Sequence, residues 1–208
     1  MTDGTTAGRP GGLSRREALE LLGIASLSTA FSWSPAQLEG AARAARAAAA
    51  SGGAFQAKFF TPHEWETVRV LADVIIPKDE RSGSATDAGV PEYMDFLMSD
   101  GSDGQRIAMR GGLAWLDIQT RRRFKKAFKE CVEQERAAVL DAIAWPAKAA
   151  PDMSQGVAFF NSFRDLTAAG FFSSKLGVED LQYQGNTFVA EWKGCPPEAL
   201  AKLGVRYL

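Results

Sequence analysis

The side chains best equipped for chemistry are few and scattered. The 208-residue chain has one histidine, His63, and two cysteines, Cys131 and Cys195. One imidazole cannot build a multi-histidine metal centre, and two distant cysteines form neither a CxxC metal or haem site nor a disulfide framework. No GxGxxG or GxxxxGK[ST] run occurs, so the sequence shows no dinucleotide or phosphate cradle. Nucleophile elbows and carboxylate pairs at fixed spacing are absent too, which makes a stand-alone enzyme the weakest functional class. Asp79 and Glu80 lack the EF-hand ligand pattern around them. His63 falls in the first, exposed turn of a helix and reads as a surface residue rather than a catalytic base. The formal net charge of -1 gives no footprint for nucleic acid. The one basic cluster, from Arg121 to Lys126, reads as a solvated helix face.

The residue pair with the clearest chemistry is Arg15-Arg16. It follows Ser14 and precedes a short apolar run, Leu21 to Trp33, that ends among small residues. A polar leader, paired arginines, an apolar stretch and a small-residue region are the layout of a bacterial export signal. The segment resembles the S-R-R-x-F-L-K pattern of the twin-arginine route, with Ala18 in place of Phe and Glu20 in place of Lys. Ser14 and Glu17 would also fit the capping box of an ordinary helix, but the run after Arg16 is apolar on all sides. That run is too short to span a hydrocarbon core of about 30 Å. Small-x-small sites for a signal peptidase include Ser34-Pro35-Ala36, Ala42-Arg43-Ala44 and Ala48-Ala49-Ala50. Residues 36–50 are Ala-rich and favour helix even without a core to pack on.

The elements behind this leader read as helices. The expected organisation is a signal and Ala-rich region over 1–50, a linker over 51–58 and a helical domain over 59–208. Thr61, Pro62 and Glu64 make a capping box with proline at the first helical position. Trp65, Val68, Leu71, Ala72 and Ile75 recur at helical spacing behind them, and Pro77 stops the helix. Residues 78–88 form a polar connector, a natural place for recognition. A short helix over 90–98 turns Tyr93, Met94, Leu97 and Met98 inward. Helices are expected over 104–115, over 120–131 with Phe124 and Phe128 on one face, and over 132–144. A long apolar helix follows, with Ser154 as its cap and Gly170 as its C-terminal stop. Residues 183–197 alternate turn residues with Phe188 and Trp192 and read as an extended arm. Short helical turns are expected at 178–181 and 197–203. The fold class is therefore all-α: a compact multi-helix domain with an extended C-terminal arm.

Several stretches together resemble the gluconate 2-dehydrogenase subunit 3 family. They are Phe60-Thr61-Pro62-His63-Glu64, Val74-Ile75-Ile76-Pro77, and the run from Asp87 to Asp95. Further on come Gly112-Leu113, Trp115-Leu116-Asp117, Phe160, Leu166 to Ser174, and Trp192-Lys193-Gly194-Cys195-Pro196. The resemblance implies a non-catalytic small subunit of an exported FAD-dependent sugar, polyol or aldonate dehydrogenase, with no cofactor of its own. FAD is expected on a larger glucose-methanol-choline-type partner, and haem c on a possible multihaem cytochrome c subunit. The small subunit would supply the twin-arginine signal, Ser14, Arg15 and Arg16, to the translocase and steady its partner in the periplasm. The 78–88 connector and the 183–197 arm are the expected contact regions, with Phe188, Trp192 and Cys195 as candidates. Two outcomes stand for the thiols in an oxidising compartment: a Cys131–Cys195 bridge, or a bridge from Cys195 to the partner with Cys131 buried. The competing class is an independent exported helical binding protein without an enzyme partner.

Overall fold

The computed structural model describes residues 32–183, 185, 190–191 and 194–206. Among these residues the chain is all-helical, with eight α-helices and no strand. In chain order they are α1 (Pro35–Ser51), α2 (Pro62–Ile75), α3 (Val90–Ser99), α4 (Asp103–Phe124), α5 (Glu133–Ala144), α6 (Ser154–Phe172), α7 (Lys175–Asp180) and α8 (Pro197–Leu203). Short 3-10 turns at Phe128–Glu130 and Pro151–Met153 join α4 to α5 and α5 to α6. None of these helices is long and apolar enough to cross a membrane.

Helix α6 is the hub, packing against α2, α3, α4, α5 and α7. Its buried face carries Phe159, Phe160, Phe163, Leu166 and Phe171, a stripe wide enough to meet helices on several sides. Two glycines set its distance from α4. A Cβ on Gly112 of α4 would overlap the Phe159 ring, and one on Gly156 of α6 would overlap the Trp115 ring. Each helix thus lays an aromatic ring against the other's bare backbone. At the adjacent Gly111-Gly112 pair the close approach belongs to Gly112 alone, since Gly111 faces open space.

Local signals placed most helix starts. Thr61 and Glu64 form the expected capping box on α2, with Pro62 at the first position. Ser34 with Gln37 caps α1 in the same way, and Ser102 with Gln105 caps α4.

Four expectations change. The two helices expected over 104–115 and 120–131 are one helix, α4, which runs through Phe124. Lys125 ends it with a left-handed φ of 62°. Phe128 therefore leaves the phase of Phe124 and enters the core from the 3-10 turn, fully buried. Gly170 does not stop α6; it lies inside the helix, where a Cβ would come 2.7 Å from Tyr93 Cδ1. It serves close packing against α3. Ser154 is the first residue of α6, and its start takes no side-chain cap because the Pro151–Met153 turn feeds directly into the helix. Finally, the Ala-rich segment is helical as expected, but it has a core to pack on. Ala41 and Ala42 are 3% and 6% exposed, and α1 against α3 is the most extensive helix pair described.

Candidate functional site

The 78–88 connector splits into two halves with different jobs. In the outer half, Asp79 Oδ1 accepts the backbone N–H groups of Arg81 and Ser82, at 2.9 and 2.8 Å. These bonds hold the carboxyl of Asp79 below its usual range. They also fix a tight turn that aims Arg81 outward. In the inner half, Ser84 and Asp87 exchange side-chain-to-backbone bonds, Thr86 donates its N–H to Asp73 Oδ1 at 2.8 Å, and Ala85 is fully buried. Ser84 and Ala85 are buried, while Arg81 and Asp87 are exposed.

Arg81 connects that surface to a region 99 residues away. Its Nη2 donates to the Asp180 carbonyl at 3.1 Å and lies 3.3 Å from Asp180 Oδ1. Behind it the chain comes closer still, because a Cβ on Gly83 would sit 2.8 Å from Leu176 Cδ1. The connector and helix α7 are therefore one face. Ser174 caps α7 by accepting the Gly177 N–H at 3.0 Å. Gly177 lies so close to the Phe171 carbonyl that no Cβ would fit. With its inner side against α6, α7 turns Val178 outward. Leu181 is one helical step further on, and the Tyr183 N–H bonds back to the Val178 carbonyl at 3.3 Å. Leu181 is 57% exposed and Tyr183 63%, and Phe172 at the end of α6 is also exposed. Val178 lies on α7, Leu181 and Tyr183 just beyond its end, and Phe172 at the last position of α6.

Beside this face lies an open groove of about 530 Å³. Its walls include Ala45 and Arg46 from α1, Tyr93 from α3, Gly170 from α6 and Lys175 from α7. Arg46 crosses one end and donates to the Ser173 carbonyl at 2.8 Å.

His63 and Asp117 form the other chemically suggestive cluster. His63 Nε2 and Asp117 Oδ2 are 2.5 Å apart. A histidine–carboxylate pair is half of a nucleophile-activating triad, but its surroundings complete a different structure. Asp117 Oδ1 accepts the Phe128 N–H at 2.9 Å. Glu64 accepts the Thr61 N–H at 2.9 Å, and the nearby Thr67 hydroxyl donates to the His63 carbonyl at 3.1 Å. The groups hold one another and join the start of α2, the middle of α4 and the 3-10 turn. His63 does lie in the first turn of α2, half-exposed, with a partner 54 residues away.

Asp95 is the polar group that sequence reasoning missed. It is fully buried on α3 and accepts three backbone N–H groups, from Lys58 (2.9 Å), Phe59 (3.0 Å) and Phe60 (3.1 Å). It thereby pins the chain that enters α2. A signal existed: Asp95 has Pro91 and Ser99 at its i±4 positions, so no cation on its own helix accounts for it.

The remaining sequence candidates divide. Cys131 is a buried thiol whose Sγ donates to the Ala127 carbonyl at 3.4 Å. Burial, with the Glu135 carboxylate nearby, pushes the Cys131 thiol up. Cys195, within the 183–197 segment, is exposed. Phe188, Trp192, Ser14, Arg15 and Arg16 lie outside the described residues. Among the described residues, no group of three or more His, Cys, Asp and Glu side chains is arranged to hold a metal ion.

A family model described as gluconate 2-dehydrogenase subunit 3 matches residues 62–191. The match opens on the first residue of α2 and covers the connector, the His63–Asp117 pair and α7. No curated protein and no solved structure matches the chain.

Proposed function

We propose that this chain, which belongs to the gluconate 2-dehydrogenase subunit 3 family, is the non-catalytic small subunit of an exported FAD-dependent sugar, polyol or aldonate dehydrogenase. Membership makes it a subunit of a dehydrogenase complex. The finer reading gives it two tasks, carrying the twin-arginine signal and gripping the flavoprotein. A flavoprotein that acquires FAD in the cytoplasm must travel folded, and one leader can carry both proteins if they assemble first. FAD and the sugar site are assigned to the larger partner, and haem c to a further subunit. The complex would work in the periplasm.

The observation that supports the grip is the tie of the outer connector to the end of α7, where Val178, Leu181 and Tyr183 are exposed. Sequence reasoning singled out the connector and the arm separately; Arg81 and Asp180 join the connector to the root of the arm. Exposed large apolar groups suit a protein interface. Obligate interfaces run upward of roughly 2,000 Å², so the arm, with Phe188 and Trp192, would extend the contact. Cys195 would then lie where a covalent bond to the partner can form. The second reading, a helical binding protein acting alone, draws on the groove beside α7, which is large enough for a small ligand.

The test replaces Arg15 and Arg16 by Lys and follows dehydrogenase activity between cytoplasm and periplasm. Activity held in the cytoplasm is the expected result. A partner that still reaches the periplasm would sink the carrier role. A chain that purifies alone from native extracts, under conditions that preserve complexes, would favour the second reading. A non-reducing gel of the complex checks Cys195: a large species lost on reduction supports the bond to the partner.

A further inference from the structure

We propose that the groove between α1 and α7 binds a neutral, largely apolar molecule carrying one carbonyl oxygen, held by the hydroxyl of Tyr93. Its volume of about 530 Å³ suits a small-molecule site. The inference names a ligand class for the groove that the second reading draws on. It stands equally if the chain works inside a complex, because every residue involved belongs to this chain.

The lining is short and apolar where it is not charged: α1 contributes Ala45 and Ala49, and Ala88 and Leu176 continue the wall. Its charges cancel. Two cations, Arg46 and Lys175, stand with two carboxylates, Asp87 and Glu179. Each is engaged within the fold. Arg46 donates to the Ser173 carbonyl at 2.8 Å, Lys175 Nζ lies 3.8 Å from Glu179 Oε1, and Asp87 Oδ2 accepts the Ser84 N–H at 3.0 Å. The serine hydroxyls of the lining are taken too: Ser173 donates to the Gly170 carbonyl at 3.1 Å and Ser174 to the Phe171 carbonyl at 2.7 Å. A charged ligand finds no uncompensated charge to pair with, and burying its own charge there would be costly.

Tyr93 is the exception. It is 2% exposed, yet its hydroxyl makes no hydrogen bond among the described residues. Burial pushes its pKa up to about 12, with no hydrogen bond contributing. The ring lies against the bare backbone of α6, since a Cβ on Gly170 would come 2.7 Å from Tyr93 Cδ1. The oxygen is not sealed in the core, unlike Glu92 Oε2 one position earlier, and the residue lines the groove. A buried hydroxyl without a partner is costly, so a ligand that supplies one is favoured. This phenol keeps its proton at neutral pH and therefore donates. A carbonyl oxygen accepts, while the apolar body of the ligand lies along the alanines of α1 and Leu176 of α7.

The probe is Prodan, a neutral naphthalene ketone whose emission moves to the blue in apolar surroundings. Titrated into the full-length chain, it is expected to shift and saturate. Tyr93→Phe keeps the ring and should weaken Prodan about five- to tenfold, the loss of one hydrogen bond. The same substitution should leave dimethylaminonaphthalene, which lacks the ketone, unchanged. Ala49→Trp, at an exposed position of α1, fills the groove and should abolish binding of both. Anilinonaphthalene sulfonate, an anion of similar size, should bind more weakly than Prodan. A wild type that does not bind Prodan overturns the proposal. So does a Tyr93→Phe variant that binds it as tightly, binding that survives Ala49→Trp, or a preference for the anion. Failure here leaves the export and partner readings intact, because the leader and co-purification tests do not pass through the groove.

Discussion

Helices α1 and α7 sit on the two sides of one groove and contrast in almost every respect. Helix α1 is long, rich in alanine and poor in large apolar groups, yet it is docked. Helix α7 is six residues long and sends Val178 outward, with Leu181 exposed just beyond its end. The difference teaches that burial follows fit rather than hydrophobicity. Alanine lets backbones approach closely, so α1 can lie flat on α3 with little side-chain entropy to lose. The larger side chains around α7 find no place inside, because Gly177 already brings the helix against the Phe171 carbonyl and its inner side is full. One helix completes the domain; the other leaves large apolar side chains exposed.

Four variants break or sharpen that contrast, and the largest effect is expected on the docked side. Asp95→Ala leaves the N–H groups of Lys58, Phe59 and Phe60 without their acceptor where the chain runs on from α1 into α2. The loss should reach about 3–5 kcal/mol, read as a fall in the urea midpoint at unchanged slope. Next comes Ala41→Glu, which forces a carboxylate into the α1–α3 contact. It should cost about 2–3 kcal/mol and strip hydrogen-exchange protection from α1 while α6 keeps its own. If α1 and α6 lost protection together, α1 would be part of the cooperative core rather than a docked wall.

The face beside α7 should answer oppositely. The double substitution Val178→Asp and Leu181→Asp should shift stability by no more than about 0.5 kcal/mol, yet abolish capture of the proposed flavoprotein partner in a co-purification assay. A variant that unfolds would show these residues to be core. The smallest effect belongs to Glu92 on α3. Burial raises its carboxyl pKa above the ordinary value of 4.5 in the folded state, and Oε2 is buried without a hydrogen-bond partner. The folded protein therefore holds this proton more tightly than the unfolded chain. The stabilisation is fully present below the unfolded pKa and is lost as pH rises through the raised folded value. Glu92→Gln should flatten that slope, giving a small gain at neutral pH relative to the wild type that shrinks below about pH 4.5, measured by urea melts across the range.

Much of this was legible in the chain itself. Thr61, Pro62 and Glu64 announced α2, because a capping box is a contract among residues three apart. The inward face of α3 followed from period alone. Where local rules failed, a tertiary contact had overruled them: Gly170 is a good helix stop by type, yet Tyr93 needs its missing Cβ inside α6. Lys125 carried no sign that it would adopt a left-handed conformation and divide Phe124 from Phe128.

The functional regions follow the same division. The Ser14-Arg15-Arg16 run, the lack of a GxGxxG run and the family resemblance were all written in residue types and spacing. They require no knowledge of which residues touch. Three features were decided by packing alone: the closure of α1 over α3, the meeting of His63 with Asp117, and the tie from Arg81 to Asp180. Each joins residues tens of positions apart, and no rule of period or capping reaches that far. Helix starts are set by bonds within one turn, so sequence determined them. Which helix is covered and which stays open depends on how side-chain volumes fill a shared core, and only the assembled fold could decide that.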